Sequence, residues 1–131
     1  MFVDASAIIG ILAREIDAPV LAARLAGADR VFTSPVTIYE AVLGLTRARN
    51  MSINDAEAAI GNLLSGVGAE IIPIDAEIGR AAIKAFDRFG RGRHAARLNM
   101  GDCFAYACAQ TLAVPLLFKG DDFSQTDVAI A

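Results

Sequence analysis

Short apolar runs rich in β-formers alternate with helix-patterned stretches along this chain, and few folds accept that order. The opening "MFV" reads as a strand and passes directly into "AIIGILAR", which is spaced as a helix. A second helix is predicted from Asp17, with Pro19 in its first turn and an end near Gly27. "RVFTS" supplies a second strand; Ser34 then caps a helix that starts at Pro35 and runs through "VTIYEAVLGLTRAR". Ser52 opens the next helix, with Asp55 three residues on in a capping-box arrangement and an apolar stripe of Ile53, Ala56, Ile60, Leu63 and Leu64. Gly66 or Gly68 ends it. "EIIPI" is a third strand, and Asp75 caps a helix with the stripe Ile78, Ala82, Ala85, Phe86 and Phe89. "GRGRHAARLN" reads as a loop, "MGDCFAYACAQTLA" as a helix and "VPLLF" as a fourth strand, while "VAI" offers a fifth. Strands separated by helices argue for a parallel sheet covered on both faces. No repeat, low-complexity tract or linker interrupts the pattern, and 131 residues suit one compact domain spanning 1–131.

In such sheets ligands bind outside the carboxyl ends of the strands. Most of the fifteen Asp and Glu residues read as caps or solvated faces; Asp17, Asp55 and Asp75 sit at helix starts, where free N–H groups await a carboxylate. Four fit less easily. Asp4 follows the first strand directly. Glu40 shares a helix face with Val36, Leu43 and Gly44, a face that looks inward. Asp102 lies in the first turn of an otherwise apolar helix. Asp121, with Asp122 beside it, follows the fourth strand. Right-handed crossovers bring the ends of parallel strands to one edge of the sheet, and these four carboxylates with them. Taken singly, Asp4 and Ser6 make a helix cap, Asp102 a dipole partner, and Asp121 and Asp122 a turn. Glu40 has the weakest ordinary explanation, and all four on one edge have less.

Converging carboxylates repel, and poor hydration raises the cost to several kcal/mol for each unpaired ion. They share protons, meet cations of the protein, or hold a metal ion. Oxygen-only donors suit Mg²⁺ or Mn²⁺. His94 is the single histidine, which limits any Ser-His-Asp arrangement and excludes a zinc site rich in His and Cys. Cys103 and Cys108, five apart in one helix, have neither redox nor zinc spacing and read as buried apolar residues. Mean hydropathy is +0.46. Yet the longest uncharged run, between Asp102 and Lys119, holds Gln110 and Pro115 and is too short to span a bilayer. With no basic n-region ahead of Asp4, a cytoplasmic protein is expected.

The stretches "MFVDASAIIGIL", "SPVTIYEAVLGL", "LNMGDCFAYACA" and "LLFKGDDFSQTD" together resemble the acidic motifs of PIN domains, and more narrowly those of VapC-type toxins of bacterial toxin–antitoxin pairs. Order, spacing and total length agree over the whole chain. The resemblance implies a three-layer α/β/α sandwich around a mostly parallel sheet of four to five strands, and a Mg²⁺- or Mn²⁺-dependent endoribonuclease. By motif position Asp4, Glu40, Asp102 and Asp121 take the places of the acidic quartet, with Asp4, Asp102 and Asp121 as the chief metal ligands and Ser6 as the hydroxyl residue that accompanies the first Asp. "KGDDF" offers both Asp121 and Asp122; Asp121 lies nearer the strand end. The resemblance also implies an RNA substrate, with tRNA among the candidates, a VapB-type antitoxin as partner, a homodimer and no membrane association.

An acidic chain, with a formal net charge of -3, needs local positive charge to hold RNA. Arg88, Arg91, Arg93 and Arg97, with His94, fall in one stretch just before Asp102 and suit a basic lip beside it. The few aromatics look buried, so no base-stacking platform is expected. A haloacid-dehalogenase-type phosphatase would need an Asp where Ser6 stands. A phospho-receiver domain would need an acidic pair at the first strand, where Asp4 is alone. The remaining alternative is a catalytically silent PIN-like module that binds RNA or protein.

Overall fold

The structure is a computed structural model describing residues 1–131. Four strands, β1 (Phe2–Val3), β2 (Phe32–Thr33), β3 (Glu70–Ile71) and β4 (Leu116–Leu117), form one parallel sheet in the order β3-β2-β1-β4. Helices α1 (Ala5–Leu12) and α2 (Ala18–Ala26) connect β1 to β2. Helices α3 (Pro35–Arg49) and α4 (Ile53–Gly66) connect β2 to β3. Helices α5 (Ala76–Phe89) and α6 (Met100–Thr111) connect β3 to β4. This is the expected α/β/α sandwich.

The strand register explains the layers. Phe2 lies beside Phe32 and Leu116, and Val3 beside Leu117. Successive strand side chains point to opposite faces. Phe2, Phe32 and Leu116 therefore join a core with Ile78 and Phe89 of α5 and Cys108 of α6. Val3 and Leu117 join a second core with Ile8, Leu25, Leu45 and Ile60 from α1 to α4. The connections stay on one face until β3 and then cross to the other. That single crossing leaves β1 flanked by β2 and β4, a topological switch point.

Local chemistry sets the helix starts as expected, with one exception. Ser34 Oγ accepts the Thr37 N–H at 3.2 Å, Ser52 Oγ the Asp55 N–H at 3.1 Å, and Asp75 Oδ1 the Ile78 N–H at 2.9 Å. Asp17 makes no such bond; its Oδ1 lies 3.1 Å from the Lys119 ammonium, which also pairs with Glu15. A full cation displaces the weaker pull of the helix N–H groups.

Three other expectations need correction. "VAI" is not a strand. Leu116 donates to Ala129 O at 2.8 Å and accepts from Ala131 N–H at 3.0 Å, an isolated bridge, because the two-residue β4 offers only that residue's groups on its outer side. Ile53, the first residue of α4, is exposed rather than part of its stripe. Phe86 is exposed too: on α5 the buried face is Ile78, Ala82, Ala85 and Phe89, and Phe86 stands about 100° around the helix from Ala85. No helix is long and apolar enough to cross a membrane.

Candidate active site

All four strands end on the same edge of the sheet, and the first residue past β1 is Asp4. Its N–H donates to Leu117 O at 2.9 Å, one step beyond the β1–β4 ladder. Asp4 is 3% exposed, the one buried carboxylate of the chain. It is also the N-cap of α1: Oδ2 accepts the Ser6 N–H at 2.9 Å and the Ser6 hydroxyl at 2.5 Å. Ser6 Oγ in turn accepts the Lys119 N–H at 3.0 Å, so the segment after β4 is tied to the same carboxylate. Burial pushes the Asp4 pKa up, against the pull of hydrogen bonds from Ser6 and Ala5.

Asp102 occupies the third position of α6 in a reciprocal capping box. Asp102 N–H donates to Asn99 Oδ1 at 3.0 Å, and Asn99 N–H donates to Asp102 Oδ2 at 2.8 Å. Its pKa is pushed up to about 6, first by burial and then by the charges of Asp4 and Asp122; the Asn99 hydrogen bond and Arg91 oppose the shift. The ordinary sequence readings, Asp4 with Ser6 as a helix cap and Asp102 as an acidic residue of a helix's first turn, are therefore correct as local chemistry. They leave one oxygen, Oδ1, outside the cap in each residue.

Glu40 arrives from α3, which packs against α6 over the edge of the sheet. It is half-buried, and its pKa is pushed up to about 7 by burial and then by the charges of Asp4 and Asp102. Asp4, Glu40 and Asp102 thus come together from three elements. The approach of Glu40 depends on Gly101: a Cβ at that position would overlap the Glu40 carboxylate. Gly101 is a residue of this site to which the sequence reading gave no role. Its signal was present in "MGDC", since a glycine in the first turn of a helix is unfavourable unless something needs the space.

Asp121 and Asp122 are exposed, between β4 and the 3₁₀ turn Phe123–Gln125. Gly120, with φ +97°, makes the bend that only glycine takes easily, and Phe123 anchors the segment against Phe118 at 5.1 Å between ring centres. Of the acidic pair, Asp122 is the one whose charge reaches Asp102. Asp121 Oδ atoms make no hydrogen bond; its backbone carbonyl accepts from Ser124 Oγ at 2.6 Å. The basic lip contracts on inspection. Arg88 pairs with Asp127 and Arg93 with Asp87, each at 2.8–2.9 Å; exposed Arg91 and Arg97 form no ion pair, and of these Arg91 is the one whose charge acts on Asp102.

The donors here are all oxygens, with free Oδ1 atoms on two rigidly held aspartates, which fits a hard divalent cation. No three acidic, cysteine or histidine side chains already form a cluster of ion-binding size. The cysteines take no part: burial pushes the Cys103 and Cys108 thiols up to about 11.

A pH dependence follows. A carboxyl whose folded-state pKa exceeds its unfolded value holds more protons when folded, so its stabilisation is complete at low pH and is lost as pH rises. With Glu40 raised from 4.5 to about 7 and Asp102 from 3.8 to about 6, the ion-free protein loses stability between about pH 4 and pH 7. Both groups are partly solvated, so screening holds the combined loss to about 2 kcal/mol, roughly 5–10 °C in Tm. Thermal denaturation in chelator across that range checks it; a Tm that climbs steadily to pH 7 contradicts it.

Residues 1–129 match the family model described as PIN domain. The chain is 38% identical over 139 residues to a VapC ribonuclease of Rhizobium meliloti, covering 97% of this chain and 98% of that one. It is 41% identical over 129 residues to ribonuclease VapC36 of Mycobacterium tuberculosis, covering 98% and 91%. Among solved structures, Mycobacterium tuberculosis VapC20, a Sarcin-Ricin loop cleaving toxin, superposes with a TM-score of 0.78 at 18% identity over 99% of this chain and 97% of that one. A toxin–antitoxin complex from Klebsiella pneumoniae gives 0.72 at 18% identity, covering 99% and 95%.

Proposed function

Given that the chain belongs to the PIN-domain family, we propose that it is an endoribonuclease of the VapC type, the toxin half of a toxin–antitoxin pair, with residues 1–131 acting as one catalytic unit. The observation that supports this most is the gathering of Asp4, Glu40 and Asp102 at the switch point, where Asp4 raises the proton affinity of both other carboxylates and Asp102 that of Glu40.

Asp4, Asp102 and an aspartate of the Asp121–Asp122 pair would hold Mg²⁺ or Mn²⁺. When bound, such an ion polarises a phosphoryl oxygen and acidifies water. The protein supplies the rest. The Ser6 contacts and the Asn99 capping box fix Asp4 and Asp102, so ordering them costs little when substrate arrives. Arg91 offsets part of the local negative charge and meets the RNA backbone. Glu40, with its carboxyl near 7, orients the attacking water and takes its proton. The water oxygen bonds to phosphorus, and a ribose oxygen leaves opposite it and takes a proton from solvent.

The assembly that the family resemblance implies, a homodimer silenced by a VapB-type antitoxin, extends to this chain as part of the same proposal. Exposed Tyr39, Ile53 and Ile71 line one shallow cleft, an apolar face of the kind that interfaces cover.

The test is incubation of antitoxin-free protein with tRNA and a mixed RNA pool in Mn²⁺, Mg²⁺ or chelator. Discrete cuts dependent on a divalent ion are expected. The same ions should raise Tm at pH 7 by several degrees, as a ligand of the folded state does, and should raise it far less in Asp102→Asn. Folded protein that binds RNA but cuts nothing with either ion would instead be a silent binding module.

A further inference from the structure

Beside the acidic site, between α5 and α6, lies an apolar slot of about 250 Å³ lined by Ile83, Phe86, Met100, Cys103 and Phe104. Met100 and Cys103 are the first and fourth residues of α6 and Asp102 the third, so the slot opens at the same end of that helix as the carboxylate, on another of its faces. Three of its walls are large apolar side chains left in solvent: Ile83 is 71% exposed, Met100 68% and Phe86 43%. Nothing in the fold needs them there, because the buried face of α5 is complete without Ile83 and Phe86.

Ile83 and Phe86 also form the near wall of a second cleft, lined on its far side by Lys84, Arg88 and Arg93 with Asp87, the ion-pair partner of Arg93. The Arg93 guanidinium lies over the Phe86 ring, 5.5 Å from its centre. Arg88 and Arg93 have carboxylate partners in Asp127 and Asp87; Lys84 forms no ion pair. Moving away from Asp102, the surface thus presents carboxylates, an aromatic-walled apolar slot and then a cationic cleft. A single-stranded RNA offers the same alternation: phosphate, planar base, phosphate. At about 250 Å³ the slot is below the roughly 300–1,000 Å³ of sites for drug-sized ligands, which suits one ring system better than the face of a peptide helix.

We infer that this slot receives the nucleobase next to the scissile phosphate, with Phe86 as its stacking wall and Lys84 and Arg93 meeting the following phosphate. The inference rests on the ribonuclease reading for the identity of its ligand. It makes Phe86 a specificity residue, where the sequence had suggested no stacking platform at all.

The experiment is an abasic scan. A short single-stranded RNA that the protein binds, chosen to span the cut where one is mapped, is prepared with one base removed at each position in turn, and binding is measured in chelator so that nothing is cleaved. The parent should lose about tenfold in affinity when one base beside the cut is removed, as expected for a single stacked base. Phe86→Ala should bind the intact RNA about tenfold more weakly and be indifferent to that same abasic position. Ile83→Ser, at a still more exposed site, should show a smaller version of the same pattern. Lys84→Glu should flatten the salt dependence of binding. An abasic profile identical in parent and Phe86→Ala overturns the inference. So does loss of antitoxin binding by Phe86→Ala with RNA binding intact, which would make the slot a peptide site. Because binding is read without cleavage, a parent that binds with one base-sensitive position yet never cuts would defeat the ribonuclease reading while leaving the slot in place.

Discussion

Asp4→Asn and Asp102→Asn are expected to cut RNA about a thousandfold more slowly than the parent, or worse, while folding as well as it does. The first half follows from charge. A divalent ion contributes several kcal/mol of stabilisation to the transition state, and each 1.36 kcal/mol is a factor of ten in rate. Removing an anionic ligand forfeits most of that. The second half follows from the hydrogen bonds. Asparagine keeps a carbonyl oxygen where Asp4 Oδ2 accepts from Ser6 and where Asp102 Oδ2 accepts from Asn99. It also removes a charge that burial disfavours at both positions. In chelator at pH 7 each variant should therefore melt at the parent's temperature or above it. Single-turnover cleavage and thermal denaturation, run on the same preparations, separate the two halves. A variant that melts early and cuts slowly would say only that the cap was lost; one that cuts at the parental rate removes the residue from the site.

Gly101→Ala is expected to lower the rate about a hundredfold, although it adds a single methyl group in a helix, where alanine is ordinarily the better residue. The methyl would occupy the space of the Glu40 carboxylate. That carboxylate ends a flexible side chain, so it yields and the helix does not. A shift of about 1 Å in a reacting group is enough for a loss of this size. The signature is non-additivity: in Glu40→Ala the same substitution at Gly101 has nothing left to displace and should cost little more. The two single variants and the double, compared by kcat/KM on one RNA, test it. A full additional loss in the double would mean that Gly101 acts through α6 itself.

Much of the fold was legible because its signals are local. Ser34 with Pro35, Ser52 with Asp55, and Asp75 each mark a helix start through a bond to an N–H three residues away, and such bonds need no knowledge of the rest of the chain. The gathering of Asp4, Glu40 and Asp102 was legible for another reason: parallel strands joined by helices must all end on one edge. What stayed hidden depends on partners far away in sequence. Asp17 has the form of a cap, but Lys119 is the stronger partner, and their pairing is visible only once β4 lies beside β1. Arg88 and Arg93 look like free cations until Asp127 and Asp87 come within reach. Phe86 fits a helical stripe by its spacing, and only the actual width of the core puts it outside. Which of Asp121 and Asp122 turns toward Asp102 is decided by the bend at Gly120 and the anchor at Phe123, a matter of a few torsion angles.

The tie from Lys119 through Ser6 to Asp4 has a consequence in time as well as in space. It joins positions 113 residues apart, and the strand that lies beside β1 on that side, β4, comes from the last sixteen residues of the chain. A nascent chain that has already released Asp4, Glu40 and Asp102 from the ribosome still lacks the backbone that Phe2 and Asp4 bond to, Pro115 O and Leu117 O. It cannot yet seal Asp4 away from water. A fragment that stops before β4 therefore leaves the first strand without its neighbour on that side and Asp4 without the tie that Lys119 makes through Ser6.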